Sequence, residues 1–377
     1  MTNQINQHKG NANKLIPWAK PKIFGNEEAN VREALTSTWI SGGPFVDRFE
    51  RQVGQLTGAR HACATSNGTT ALHLACLAVG LQPGEEILLP GFAYMGAANI
   101  ALLCGLKPVF AEVDSRTWCV TAETLSPCIT ARTKAIVVVH TYGNLCPMEE
   151  ILPLAKTRGI PVIEDAAEAF ASHRNGRHAG TFSTIGTFSF HATKTITTGE
   201  GGMAITADDD LYHRMCLYRS HGMARHKRYY WHEVAGHNFR LTNFQAAMGC
   251  AQLEHLTEIM SRRQQLHSAY KSLLEAQPGW SLQHFEPSVH PVLWALALKL
   301  DPKAFPQGRD TVISQMAAVG IECRPGFYAA SQQPLYSCPP LPVCEQLATR
   351  ILSLPTFVDL TEEEISRICQ TLTDLRR

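Results

Sequence analysis

Residues 135–140, Ala135-Ile136-Val137-Val138-Val139-His140, decide the fold class. Four β-branched residues in a row leave no polar face, so a strand made from them must be buried on both sides. Pro108-Val109-Phe110-Ala111-Glu112-Val113 has the same character. Strands of this kind lie at the centre of a mostly parallel sheet covered by helices. Working outward, apolar β-rich runs fall at Ile87–Pro90, Pro108–Asp114, Ala135–His140, Pro161–Glu164, Ile185–Phe190 and Met203–Thr206. Helical periodicity fills Thr69–Val79, Met95–Leu103, Ala122–Ile129 and Glu149–Lys156. Strands and helices that alternate in this way predict an α/β layer architecture with right-handed crossovers.

After Asp208 the pattern changes. Asn243–Ala276 reads as one long helix, and a smaller α+β segment follows from about Gly279. Its parts are a strand near Val292–Leu300, helices near Arg309–Val319 and Leu341–Ile351, and a last helix opened by Thr361 with Glu364 in capping-box spacing. The expected organisation is a polar tail at 1–15, a large α/β domain at 16–250, and a long linking helix with a smaller C-terminal α+β domain at 251–377.

Charge excludes several functions. Lys and Arg total 34 against 33 Asp and Glu, a net charge of +1, so nothing favours nucleic acid or an anionic membrane. Charged residues make up 18%, below the roughly 25% usual for soluble domains, which points to extra buried surface such as a subunit interface. The 12 cysteines never form Cys-x-x-Cys, so zinc-ligand spacing is absent, no metal is expected, and most read as small buried hydrophobes. The first twenty residues lack the apolar centre of a signal peptide, and no apolar run approaches the roughly 18 residues of a membrane span. A reducing, cytoplasmic location fits.

Three segments could carry chemistry. In Ser66-Asn67-Gly68-Thr69-Thr70 a glycine turn feeds a helix, and free backbone N–H groups there make an anion site; an ordinary capped helix reads the same way. Asp165 ends the buried run Val162-Ile163-Glu164, where open α/β sheets place ligands. It needs a cationic partner: a pyridinium N–H, an arginine or a helix N-terminus. Lys194 follows an apolar strand and precedes the glycines of Gly199-Glu200-Gly201-Gly202, which would let a flat ligand approach. Desolvated, its amine becomes a usable nucleophile; otherwise it is a solvated loop residue. His191 is open in the same way, as structural histidine or as participant. Together, an anion cradle, a strand-end acid and a lysine on a glycine turn are the parts of a pyridoxal 5'-phosphate site. Phe92-Ala93-Tyr94, after the strand ending at Pro90, offers an aromatic ring to stack on the cofactor.

The stretches WISGGPFVDRFE (39–50), SNGTTALHLA (66–75), RTKAIVVVHTYG (132–143), VIEDAAEA (162–169), FSFHATKTITTGEGGMAIT (188–206), GHNFRLTNFQAAMGCAQLE (236–254) and LSLPTFVDLTEEEI (352–365) occur in one order. Through them the chain resembles the DegT/DnrJ/EryC1/StrS family of sugar aminotransferases, of the aspartate-aminotransferase fold type (PLP fold type I), from about Ile16 to the C-terminus. The resemblance implies that Lys194 carries the cofactor as an aldimine, Asp165 partners the pyridine nitrogen and Tyr94 stacks on the ring. It implies a phosphate cradle of Gly68, Thr69 and Ser189, completed by Asn238 of a neighbouring subunit. A homodimer with shared active sites follows. Glu168 departs from the His or Gln of many members; in that position it approaches the cofactor's O3′ or the sugar.

EDAAEA with KTITTGEGGM resembles the GDP-perosamine synthase branch. A related 3-dehydratase replaces the lysine by histidine, and the intact Lys194 favours transamination. The implied reaction is ping-pong: L-glutamate gives up its amino group, and a nucleotide-linked keto sugar receives it. GDP-4-keto-6-deoxy-mannose is the leading acceptor, and a dTDP- or UDP-linked keto sugar the alternative. Segments resembling the sugar-nucleotide contacts hold Arg219, Tyr230, Arg324 and Tyr328, with Glu168 and His191 beside them. RPGFYAAS stands where members often read RPFFYPLS, and a packed polar interface is the competing reading for these segments. Other classes fit less well. No GxSxG elbow supports a hydrolase, and a non-catalytic regulator would not need both Lys194 and Asp165.

Overall fold

The computed structural model describes residues 15–224, 227–275 and 277–377. The expected polar tail lies outside them except for Leu15. Along the chain run β1 (His61–Thr65), β2 (Glu86–Pro90), β3 (Lys107–Ala111), β4 (Thr133–Val139), β5 (Val162–Asp165), the hairpin β6 (His173–Arg174) and β7 (Arg177–His178), then β8 (Ile185–Ser189) and β9 (Gly202–Thr206). Seven of these form one sheet in the order β1-β9-β8-β5-β4-β2-β3. Strands β3, β2, β4, β5 and β8 pair in parallel, and β9 alone runs against its neighbours β8 and β1. Each of the six expected strands is present. Ile136, Val137 and Val138 are buried to within 1%, and covering each such side chain contributes about 1.5–3 kcal/mol.

Helices α1 (Asn26–Thr36), α2 (Pro44–Thr57), α3 (Gly68–Val79), α4 (Gly96–Leu103), α5 (Ala122–Leu125), α6 (Met148–Lys156) and α7 (Asp209–Arg219) accompany the sheet. Next come α8 (Asn243–Glu254) and α9 (Leu256–Leu274). The single long helix expected at 243–276 is therefore two, and Ala276 lies outside the described residues. The break is at His255, φ −103 and ψ 9. No glycine or proline causes it; the cause is tertiary. The His255 imidazole stacks on Phe24 at 4.0 Å and 2° and meets Asn26 at 3.0 Å. Helix α8 packs its alanines and Cys250 with Phe45 and Phe49, whereas α9 packs Leu266, Tyr270 and Leu274 into a separate core.

That second core lies under an antiparallel sheet. Its strands are β10 (Trp280–Leu282), β12 (Leu296–Leu300), β13 (Arg324–Pro325) and β14 (Ile351–Leu354), in the order β10-β12-β14-β13; β11 (Val289–His290) instead extends the hairpin at β6. Helices α10 (Arg309–Ala318), α11 (Pro342–Arg350) and α12 (Glu362–Asp374) complete the segment. The capping box read at Thr361 and Glu364 forms, with both bonds at 3.0–3.2 Å. Ile16 bridges to Ile321 and is buried in the same core. Among the described residues no helix is long and apolar enough to cross a membrane.

Candidate active site

Parallel strands deliver their C-terminal ends to one edge of a sheet, and ligands bind there. At that edge Val139, Asp165 and Thr187 stand on neighbouring rungs of β4, β5 and β8. Just beyond lie Tyr142, Glu168 and Lys194. The Lys194 turn is closed by its own N–H donating to the His191 carbonyl (2.9 Å) and by Thr198 N–H to Phe190 (2.9 Å).

The Lys194 side chain is only 14% exposed. Its Nζ lies 3.9 Å from Glu168 Oε1 and 4.0 Å from the centroid of the Trp294 ring. Burial pushes the amine below its ordinary pKa, while the Glu168 and Asp165 carboxylates pull it up. Both acids are themselves buried. Burial raises Asp165, against an N–H from Ala167 (3.1 Å) and the charges of Lys194 and His140. Burial raises Glu168 to about 7, against the Lys194 charge and the N–H donated by Tyr142 (2.7 Å). Burial thus favours the neutral form of all three groups and draws their proton affinities toward one another.

The cradle forms where β1 turns into α3. Asn67 caps the helix by accepting the Thr70 N–H (2.8 Å), and the first i→i−4 bond is Ala71 to Asn67. The amides of Gly68 and Thr69 precede it, so the helix gives them no partner. A Cβ on Gly68 would stand 2.7 Å from Ser189 Cβ, so only glycine lets the Ser189 hydroxyl join these amides. This is a pocket for an anion at a helix N-terminus. Gly202 has another use than ligand approach: a Cβ there would lie 2.3 Å from the Asn67 carbonyl, so it lets β9 close on the cradle turn. The Tyr94 ring is 68% exposed, edge-on to Phe327 at 6.4 Å, and free to face a planar ligand. Anion cradle, buried acid, buried amine and available ring together fit pyridoxal phosphate.

The remaining expected residues are less gathered. His191 turns its Nδ1 to Thr193 (3.0 Å) and its Nε2 toward Glu200 (3.8 Å). Arg219 is committed to Glu50 (2.5 Å) and the Ala64 carbonyl (3.0 Å), and lines a cavity of about 440 Å³ whose wall does not include Lys194. Tyr230, at φ 62, stands exposed against Tyr229. Arg324 pairs with Glu322, and Tyr328 lies over the Arg309 guanidinium at 5.3 Å. Asn238 is exposed and accepts from Arg240 (3.0 Å) on a segment whose Phe239 carbonyl accepts the Ser66 N–H (2.7 Å). Three residues had no assigned role from the sequence: Tyr142, Phe327 and Trp294. Tyr142 stacks between Phe327 (5.3 Å, 9°) and Trp294 (6.1 Å, 18°). The Tyr-Gly after the buried run and the Phe-Tyr after Arg324 were the available signals; Trp294 had none.

The chain matches the DegT/DnrJ/EryC1/StrS aminotransferase family over residues 21–373. It is 39% identical to a GDP-perosamine synthase of Escherichia coli O157:H7 over 96% of this chain and 98% of that one. It is 41% identical to a GDP-perosamine synthase of Caulobacter vibrioides, over 95% and 97% respectively. The solved structure of Helicobacter pylori PseC, an aminotransferase of pseudoaminic acid biosynthesis, superposes with a TM-score of 0.91 at 27% identity, covering 96% of this chain and 99% of that one. The chain belongs to the DegT/DnrJ/EryC1/StrS aminotransferase family and is a pyridoxal-phosphate-dependent enzyme acting on sugar nucleotides.

Proposed function

We propose that this enzyme moves the amino group of L-glutamate to GDP-4-keto-6-deoxy-mannose, giving GDP-perosamine. The observation that carries transamination is the buried Lys194 amine held 3.9 Å from Glu168 at the strand-end edge. The choice of acceptor is supported by the near full-length identity to the two GDP-perosamine synthases.

Bound pyridoxal phosphate supplies the electron sink and carries the amino group between the two substrates. In this reading Lys194 anchors the cofactor covalently at rest. Once released, its neutral amine takes a proton from the α-carbon of the donor and returns one in the second half of the cycle. Burial serves that task by lowering the amine's affinity for its own proton. Asp165 keeps the ring nitrogen protonated; Gly68, Thr69 and Ser189 hold the phosphate; Tyr94 covers the ring. Glu168, held near 7, can donate or accept a proton at neutral pH. The reading includes a homodimer in which Asn238, exposed beside the cradle strand in a single chain, reaches the partner's phosphate. It also includes a cytoplasmic enzyme, where the free thiols stay reduced.

The test is to supply the cofactor-loaded enzyme with L-glutamate and, separately, GDP-, dTDP- and UDP-linked 4-keto-6-deoxyhexoses, and to follow products by mass. GDP-perosamine formed with one 2-oxoglutarate per turnover is expected. Turnover of only the dTDP or UDP sugar refutes the acceptor, and turnover of none refutes the transfer.

A further inference from the structure

Two bulky residues beside Lys194 take left-handed backbone conformations, Tyr142 at φ 57 and Leu293 at φ 54. Such conformations persist only where the surroundings impose them, and they gather at functional sites. Tyr142 is held by its N–H to Glu168 (2.7 Å). At Leu293 the agent is Arg263, whose Nη1 donates to the carbonyls of Leu293 (3.3 Å) and Trp294 (2.9 Å). Arg263 is buried, forms no ion pair with a carboxylate among the described residues, and is pushed down to about 10 by that burial. A guanidinium buried to hold two carbonyls of a strained turn fixes what the turn presents.

What it presents is the Trp294 indole. Its Nε1–H donates to the carbonyl of Thr193 (2.7 Å), the residue just before Lys194. The ring is therefore tied to the lysine's own backbone at one end and to Arg263 at the other. Trp18 meets it edge-on at 5.6 Å. Lys194 Nζ sits 4.0 Å from its centroid, within cation–π range.

We propose that Trp294 is a positioning residue for the catalytic lysine, its indole face receiving the Lys194 ammonium whenever that amine is not bonded to cofactor. The proposal rests on Lys194 being the cofactor lysine. An aromatic face favours ammonium over neutral amine, so the ring opposes burial and sets how much neutral amine exists at working pH. The other groups facing the amine are the carboxylates of Glu168 and Asp165, with Tyr142 joined to Glu168 through its N–H (2.7 Å).

Only the neutral amine attacks added pyridoxal phosphate. In the cofactor-free, full-length protein, the rate at which the visible band appears therefore rises with pH through the amine's midpoint. Trp294→Leu is expected to lower that midpoint by about one pH unit, and Trp294→Phe to restore part of the difference. An unchanged midpoint in Trp294→Leu, with the band still forming, overturns the proposal, because a merely structural tryptophan would affect stability and not titration. Should Trp294→Leu fail to fold, fluorinated tryptophans installed at position 294 replace it. Each added fluorine withdraws density from the ring face, and the midpoint should fall stepwise; no step overturns the proposal. A wild-type protein that forms no band at all instead contradicts the role of Lys194.

Discussion

Replacing Glu168 by glutamine should stabilise the cofactor-free protein at alkaline pH and leave it unchanged in acid. Burial holds this carboxyl at about 7 against an ordinary 4.5. At about 1.36 kcal/mol per pH unit, the difference amounts to roughly 3 kcal/mol. The sign follows from linkage. The folded state binds the Glu168 proton more tightly than the unfolded chain, so that stability is fully present below pH 4.5 and is lost as the pH rises through about 7. Glutamine keeps the acceptor for the Tyr142 N–H (2.7 Å) and carries no charge, so it avoids the loss. Lys194 also loses an attracting carboxylate, which makes the figure an upper one. With about 2.1 cal/mol/K of unfolding entropy per residue, 377 residues give about 0.8 kcal/mol/K, so the gain is about 4 °C in Tm. The assay is thermal unfolding of wild type and Glu168→Gln from pH 5 to 8.5. The difference should be smallest at pH 5, widen up to about pH 7 and level off above it. A constant offset across that range, or a variant that grows less stable with pH, would refute the account of Glu168 as a buried acid.

Gly68→Ala should lower cofactor affinity and destabilise the protein by about 1–3 kcal/mol, because its Cβ would sit 2.7 Å from Ser189 Cβ; fluorescence titration with pyridoxal phosphate and thermal unfolding measure the two effects. Cys216 should be the thiol that iodoacetamide labels first near neutral pH, with a rate rising through about pH 7. The Cys63 thiol hydrogen bond and the Arg219 charge hold it there, whereas burial pushes Cys76 and Cys323 up to about 12. Peptide mass mapping checks this, and labelling of either buried thiol before Cys216 contradicts it.

The parts of the fold legible in the sequence are those whose physics is local. Ile136–Val139 can only be a strand buried on both faces, and the sheet is built around it. Strand β1 is not legible, since His-Ala-Cys-Ala-Thr carries little β-branching and pairs antiparallel with β9, far along the chain, His61 opposite Thr206 and Thr65 opposite Gly202. The break between α8 and α9 is hidden for a related reason: helical periodicity runs through Gln252-Leu253-Glu254-His255-Leu256, and the partner that interrupts it is Phe24. At the site, a lysine on a glycine turn and an acid ending a buried strand announce themselves. Arg219 reads as a phosphate-binding cation, yet Glu50 and Ala64 already occupy it. Trp294 is invisible because its position depends on a left-handed φ at Leu293, held by Arg263; Tyr142, signalled only by the Tyr-Gly after the buried run, depends on its own left-handed φ, held by Glu168.

The most direct test of Lys194 as the working amine is the visible absorption spectrum of dialysed, pyridoxal-phosphate-loaded protein before and after L-glutamate, with Lys194→Ala in parallel. The wild type should show the band of lysine-bound cofactor, which glutamate converts to the pyridoxamine form with release of 2-oxoglutarate; Lys194→Ala should show neither band nor conversion. A wild-type band that glutamate leaves unchanged, or a Lys194→Ala protein that converts as the wild type does, would contradict the account.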